Sequence, residues 1–263
     1  MLYGLPLFKN CLTVLSKNQI KKLKSLSSGK FRQKYNNFIA EGHKLATEIL
    51  ISKAYPIEHI YAFSEWLSTN KDLLKTIPKE TITEIDSKSM SQISNLSTSS
   101  PIYILLKKPN LEVKKNLIIN QYSFLLQGVQ DPGNVGTIIR IADWFGIPNI
   151  ISDNKTADLL HPKVVQSSMG AICNVNLMKG KEEQLLELLD SVPSYALSLQ
   201  GEELHSKTFD SPGIIMLGSE GNGLSEEFIS KATKNVLIPP AKTSKAESLN
   251  VAVTAGIIAH TIG

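Results

Sequence analysis

Cysteine is nearly absent from this chain of 263 residues: Cys11 and Cys173 stand far apart, with no Cys-x-x-Cys pair and no Cys/His spacing. A disulfide scaffold and a zinc finger are thereby excluded. Long apolar runs are missing too. No stretch approaches the roughly 18 uninterrupted apolar residues of a membrane span, so a soluble, cytoplasmic protein with no membrane partner is expected. The amino terminus, MLYGLPLFKNCLTVLSKNQ, lacks the basic start, unbroken apolar stretch and small-residue cleavage site of a signal peptide and reads as mature protein. Nor does one sign of charge dominate: 28 Lys and Arg against 24 Asp and Glu leave +4, and no strongly basic tail accounts for it. An anionic partner is permitted but not demanded. What is plentiful is apolar residues, 42% of the chain, which rules out disorder and supplies cores for two modest domains.

Helix-like spacing of Leu12, Leu15, Ile20, Leu23 and Leu26, and again of Phe38, Leu45, Ile49 and Leu50, predicts two helices before residue 50. Strands are expected at Ile57–Ala62 and Ile102–Leu106 with a helix over Glu65–Leu74 between them, a small α/β domain over 1–106. Apolar periodicity stops in KKPNLEVKKN, residues 107–116, which marks a linker. Over 117–263 strands and helices alternate. Strands are expected at Tyr122–Gln127, Asn149–Ser152, Val175–Met178, Tyr195–Leu199 and Ile214–Leu217, and helices at Val135–Phe145, Val164–Met169 and Glu182–Leu189. Such alternation implies a mainly parallel sheet covered on both faces, with ligands beyond the carboxyl ends of its strands.

Three segments after expected strands carry polar groups there. The first is Asp131-Pro132-Gly133-Asn134-Val135-Gly136, turn chemistry in which Asn134 is placed to cap the next helix. On that helix Val135, Ile138, Ile139, Ala142 and Phe145 form an apolar stripe, and Arg140 stands about 140° from Val135, facing away from the sheet. A solvated or helix-pairing arginine is the plain alternative. The second segment, Leu217-Gly218-Ser219-Glu220-Gly221-Asn222-Gly223-Leu224-Ser225, has neither the Gly-Lys-Ser/Thr end of a P-loop nor the dinucleotide fingerprint. Its glycines admit a ligand to the backbone, Ser225 can cap the next helix, and Glu220 suits a cationic or hydroxyl-bearing ligand better than a phosphate. In the third, Pro239 and Pro240 end a strand, and Ser248 or Asn250 starts the apolar last helix, Ala252–Ile262. Simple capping is the alternative for both.

In this order and spacing, Asp131 to Arg140 and Ala142, Leu217 to Leu224, and Glu247-Ser248-Leu249-Asn250-Val251 resemble the three motifs of the SpoU (TrmH) family, AdoMet-dependent RNA ribose 2′-O-methyltransferases of the SPOUT class. Asp158 to Ala171, with Ser168-Met169-Gly170-Ala171, is similar to the family's intervening segment. Lys30-Phe31-Arg32 and Phe38 to Lys44 are similar to its small, ribosomal-protein-like N-terminal RNA-binding domain, which favours rRNA over tRNA. The resemblance implies a parallel-sheet domain with a trefoil knot, a feature that no periodicity would indicate because connections rarely knot.

By the same resemblance Arg140, Asn134, Glu220, Ser248 and Asn250 carry catalysis, and Leu217, Gly218, Ile238, Ser248 and Leu249 hold AdoMet. Lys30, Arg32, Lys34 and Lys44, with Lys21, Lys22 and Lys24, meet RNA phosphates; an ordinary solvated helix face is the alternative. His43 reads as structural. No metal is implied, and a homodimer through the C-terminal domain is, its paired sites drawing residues from both chains. The chain departs from the family in lacking a glycine in a longer loop at Ala241–Ala246 and in carrying Gln166 where many relatives have arginine. The remaining alternatives are a tRNA 2′-O-methyltransferase, a non-catalytic RNA-binding or ribosome-assembly factor, and a dehydrogenase, the last disfavoured by the absent fingerprint.

Overall fold

A computed structural model describes residues 14–205 and 208–262 and divides into two compact units, Met1–Lys108 and Pro109–Gly263. Cys11 and Leu12 lie outside the described residues. In the first unit Ser16 opens α1 (Lys17–Ser25) with a capping box shared with Gln19. The Ser27-Ser28-Gly29 run breaks this helix, and α2 (Gly29–Tyr35) ends at Asn36, in the left-handed region at φ 52. That turn makes Phe38 a strand residue: β1 (Asn37–Glu41) is buried along its whole length and leads to α3 (His43–Ser52). Three helices and a strand thus replace the expected pair of helices, because a short apolar run such as Phe38-Ile39-Ala40 fits either period.

β2 (Ile57–Ala62) has the expected bounds. α4 (Ser64–Thr69) stops short of Leu74, where the Asn70 side chain turns back to the Trp66 carbonyl. β3 (Ile82–Glu84) and α5 (Ser87–Ile93) are short, with little apolar period to announce them, and β4 (Ile102–Lys107) completes the unit. The sheet order is β1-β4-β2-β3, with β4 antiparallel to β1 and β2, and β3 parallel to β2. Leu23, Leu26, Ile39, Met90, Ile93 and Tyr103 share its core with their neighbours.

The second unit comprises α6 (Lys115–Ile118), β5 (Ser123–Gln127), α7 (Pro132–Trp144), β6 (Asn149–Ser152), α8 (Pro162–Ser167) and β7 (Asn176–Lys179). It continues with α9 (Glu182–Leu189), β8 (Ser194–Glu203), β9 (Ile214–Gly218), α10 (Glu226–Lys231), β10 (Lys234–Leu237) and α11 (Val251–Ile262). Before α6, the Leu111 carbonyl accepts from the Lys179 N–H, so this part of the expected linker lies along β7. All pairs of the six-stranded sheet, β10-β8-β9-β5-β6-β7, are parallel. β5 is buried at every residue, as a strand covered on both faces must be. β8 runs past the expected Leu199, and its pairing with β10 jumps from Ala196 to Glu202.

On α7, Val135, Ile138, Ile139 and Ala142 are buried as the stripe predicts, and truncating Ile138 to alanine would cost about 2–5 kcal/mol. Gly136 lets α8 close on this helix: a Cβ there would sit 1.9 Å from Ser167 Oγ and 2.6 Å from the Val164 carbonyl. Val251, Ala252, Ala255, Ile258 and Ala259 of α11 are likewise buried. No helix among the described residues is long and apolar enough to cross a membrane.

Candidate active site

The strand order reverses beside β5: β6 and β7 lie on one side, β9, β8 and β10 on the other. Such a reversal opens a crevice at the carboxyl ends of the strands. The three polar segments leave from that end, after Gln127, Gly218 and Leu237. Gln127 and Gly218 are register partners, so the first two loops start side by side.

The cap of α7 is Asp131, not Asn134: the Asp131 carboxylate accepts the Asn134 N–H at 2.9 Å, and Pro132 occupies the first turn, where its missing N–H costs nothing. The Asn134 side chain is thereby released for other partners. Its Nδ2 donates to Glu220 Oε1 at 2.6 Å, and its Oδ1 accepts from Asn250 Nδ2 at 3.1 Å. Asn250 Oδ1 in turn accepts the Ala252 and Val253 N–H groups, so capping and site-building coincide in this one residue. The direction of each bond is forced. Helix N–H groups demand the Asn250 oxygen, the Glu220 carboxylate oxygen takes the Asn134 nitrogen, and the remaining oxygen and nitrogen face each other. One line of hydrogen bonds thus joins residues 86 and 116 positions apart in the chain.

Glu220 stands at the tip of a tight loop closed by reciprocal bonds between Ser219 and Gly223 at 3.1 and 2.9 Å. Gly218 makes this closure possible, since a Cβ there would lie 2.2 Å from the Gly223 carbonyl carbon. Leu217 is buried, leaving its backbone as the accessible part. Ile238 is half-buried, Leu249 is 48% exposed, and Ser248 is exposed with no hydrogen bond among the described residues. Arg140 is exposed, about 9 Å along α7 from Asn134, and has no hydrogen bond or ion pair among the described residues. Asn134, Glu220 and Asn250 are therefore brought together, while Arg140 and Ser248 are not bonded to them. Among the described residues no group of three or more His, Cys, Asp or Glu side chains converges as a metal site would require.

Two supports of these loops escape sequence reasoning. Gln127, buried, donates from Nε2 to Ser225 Oγ at 2.9 Å and accepts the Ser225 N–H at 2.8 Å, clamping the stem of the second loop to β5. Ser225 does occupy the N-cap position of α10, but without a side-chain cap bond. Asp153, also buried, accepts the Gly128 N–H at 3.1 Å and the Thr156 hydroxyl at 2.7 Å, fixing the turn before Asp131. The available signal was position: each is the first strongly polar side chain at the carboxyl end of an apolar strand.

In the first unit Lys30, Lys34 and Lys44 are exposed. Arg32 is not among the phosphate contacts expected of it. It is 2% exposed and donates to the Leu26 and Ser27 carbonyls at 2.8 and 2.9 Å, bracing the end of α1. His43 Nδ1 accepts from Trp66 Nε1 at 2.9 Å, a structural tie.

Comparison with known proteins follows this division of the chain. The model of the SpoU rRNA Methylase family matches residues 121–260, and that of the MRM3-like substrate binding domain matches residues 17–103. The chain is 28% identical over 254 residues to the 23S rRNA (guanosine(2553)-2'-O)-methyltransferase RlmP of Bacillus subtilis, covering 93% of this chain and 96% of the relative. Among solved structures, a TrmH-family protein from Porphyromonas gingivalis is 34% identical with a TM-score of 0.80, over 95% of this chain and 98% of that one. The AdoMet-bound rRNA methyltransferase of Sinorhizobium meliloti shares the fold at a TM-score of 0.82 and 24% identity, over 95% of each chain.

Proposed function

Because the chain belongs to the SpoU rRNA methylase family, we propose that it is an AdoMet-dependent methyltransferase of ribose 2′-hydroxyls in RNA, acting in the cytoplasm on 23S ribosomal RNA. The observation that carries this reading is the bonded line from Asn250 through Asn134 to Glu220, which ties the three motifs into one crevice. The near full-length likeness to a 23S rRNA methyltransferase, and a first unit that matches a substrate-binding domain, support ribosomal over transfer RNA.

The residues present fit the donor. Leu249 and Ile238 offer apolar surface in need of cover, as a purine would give, and Leu217 and Gly218 offer backbone groups beside them in the family's scheme. When bound, AdoMet supplies an electrophilic methyl group on a sulfonium centre. The protein's part is to hold the 2′-oxygen in line with that group. Asn134, Ser248 and Asn250 orient the ribose, and Glu220 fixes the Asn134 amide. Arg140 binds the phosphate next to the target ribose and stabilises the negative charge developing on the 2′-oxygen. A guanidinium does not deprotonate in a protein, so that phosphate or a water takes the proton. The knotted course of the chain after β10 belongs to the same proposal. So does dimerisation through α7 and α11, where Trp144, one turn from Arg140, is 83% exposed and Val253 is exposed as well.

Mapping 2′-O-methyl groups across total RNA with and without the gene tests the reading. One modified position should disappear from 23S rRNA. A position lost from tRNA alone would replace the substrate, and an unchanged map would overturn the activity.

A further inference from the structure

The cations of the first unit are concentrated in its opening helices. No Asp or Glu precedes Glu41, whereas residues 14–40 contain Lys17, Lys21, Lys22, Lys24, Lys30, Arg32 and Lys34. With Arg32 buried, six lysines remain on α1 and α2, and none pairs with a carboxylate among the described residues. In the second unit, by contrast, Lys155, Lys163, Lys231 and Lys234 each have a carboxylate within 3.4 Å. Lys17, Lys21 and Lys24 recur at intervals of four and three, which places them within about 60° on one side of α1. On α2, Phe31 and Tyr35 stack with ring centroids 6.1 Å apart at 17°, and the Lys22 and Lys34 ammonium groups each stand 5.4 Å from the centre of the Tyr35 ring. Tyr35 packs on the margin of the core; Phe31 rests on Tyr35, half-exposed and outside the core cluster.

Unneutralised lysines around a partly exposed ring make the combination that holds a single strand of nucleic acid: cations for phosphates, an aromatic face for a base. A double helix presents phosphates but no free base face. We propose that the α1–α2 face binds single-stranded RNA, an unpaired base stacking on Phe31 while Lys21, Lys24, Lys30 and Lys34 meet flanking phosphates. This rests on the RNA reading above and specifies the form of RNA that the first unit grips. Arg32 contributes by bracing the end of α1 from α2, where Lys22 and Lys34 flank the Tyr35 ring.

The test uses the full chain and fluorescence anisotropy with a labelled single-stranded RNA of about twelve nucleotides and a duplex of equal length. Phe31→Ala should weaken single-strand binding about tenfold and duplex binding less than about twofold, and Phe31→Trp should restore it. Lys21→Gln with Lys24→Gln should weaken both and lower the salt slope by about 0.7 per lysine on the single strand. Phe31→Ala without effect, or with equal effect on the duplex, would overturn the stacking site. Binding of anionic vesicles as tight as that of RNA would reassign the face to a membrane surface. AdoMet binding is measured by calorimetry in the same samples. If it fails while the Phe31 effect persists, the methyltransferase reading falls and this one stands; the reverse result sinks this one alone.

Discussion

The first unit holds sixteen Lys and Arg against eight Asp and Glu, whereas the second holds twelve against sixteen. A modest overall charge therefore conceals two regions of opposite sign. The cations also differ in company: the lysines of α1 and α2 have no carboxylate partner among the described residues, while several of the second unit are paired across short distances. Diffuse, unpaired charge gives affinity that is strong at low salt and indifferent to geometry. The second unit instead invests in directed bonds, such as the Asn250–Asn134–Glu220 line, which add little stability at an exposed site but fix positions. If, as proposed, one unit captures RNA and the other aims it, their variants should separate into changes of KM with salt sensitivity and changes of kcat.

Arg140→Ala offers the sharpest break of that division. Its guanidinium is unpaired among the described residues, so removing it should leave the fold and AdoMet affinity within about threefold while lowering kcat at least a hundredfold, the order seen when a charge-stabilising donor is lost. Calorimetry and single-turnover methylation measure the two halves of this expectation. Loss of cofactor binding along with activity would contradict the assigned role. Leu249→Lys should do the opposite, weakening AdoMet binding more than about tenfold by putting a hydrated cation where the proposed purine contact is apolar. Undiminished binding would show that the pocket lies elsewhere.

Asn134 gives the next smaller effect. Replacing its amide with a carboxylate puts like charges where the 2.6 Å bond to Glu220 now lies, so Asn134→Asp should lower kcat about tenfold. Asn134→Ala, which merely leaves the loops untied, should be milder. Equal effects of the two variants would mean that the bond to Glu220 does not operate in catalysis. Neither variant should alter the salt dependence of RNA binding, which, as proposed, belongs to the first unit.

Much of the second unit was legible from periodicity, because its strands are continuous apolar runs punctuated by Gly, Pro and Asn; Asn149–Ser152 and Glu182–Leu189 have the bounds expected of them. The first unit was less so, as Phe38 shows: strand or helix there depends on the left-handed turn at Asn36, which an apolar count does not contain. Within the crevice, motif spacing pointed to Asn134, Glu220 and Asn250. It gave no hint that they bond to one another, because hydrogen-bond partners 86 and 116 residues apart are set by strand order. Arg32 is the instructive failure. A cation within a basic run looks like surface, yet six residues upstream the end of α1 left carbonyls without donors, and a buried guanidinium satisfied them.

Asp131 tests the aiming unit at its smallest scale. The Asn134 N–H holds its carboxyl below the ordinary aspartate value of 3.8, with help from the Gly133 N–H and the Lys163 ammonium 3.4 Å away. A pKa depressed by folding means that the stabilisation is fully present above that ordinary value and fades as pH falls through the folded one. Because the side chain is largely solvated, the ion pair adds little and the cap bond dominates. Asp131→Ala should therefore cost about 1 kcal/mol at neutral pH in urea unfolding, and the gap from the parent should narrow in acid. Asp131→Asn, which caps nearly as well without the charge, should cost only about a few tenths of that and show no such narrowing. A gap that widens in acid would mean that the neutral carboxyl is the favoured form, and the orientation of the α7 amino terminus would then have another origin.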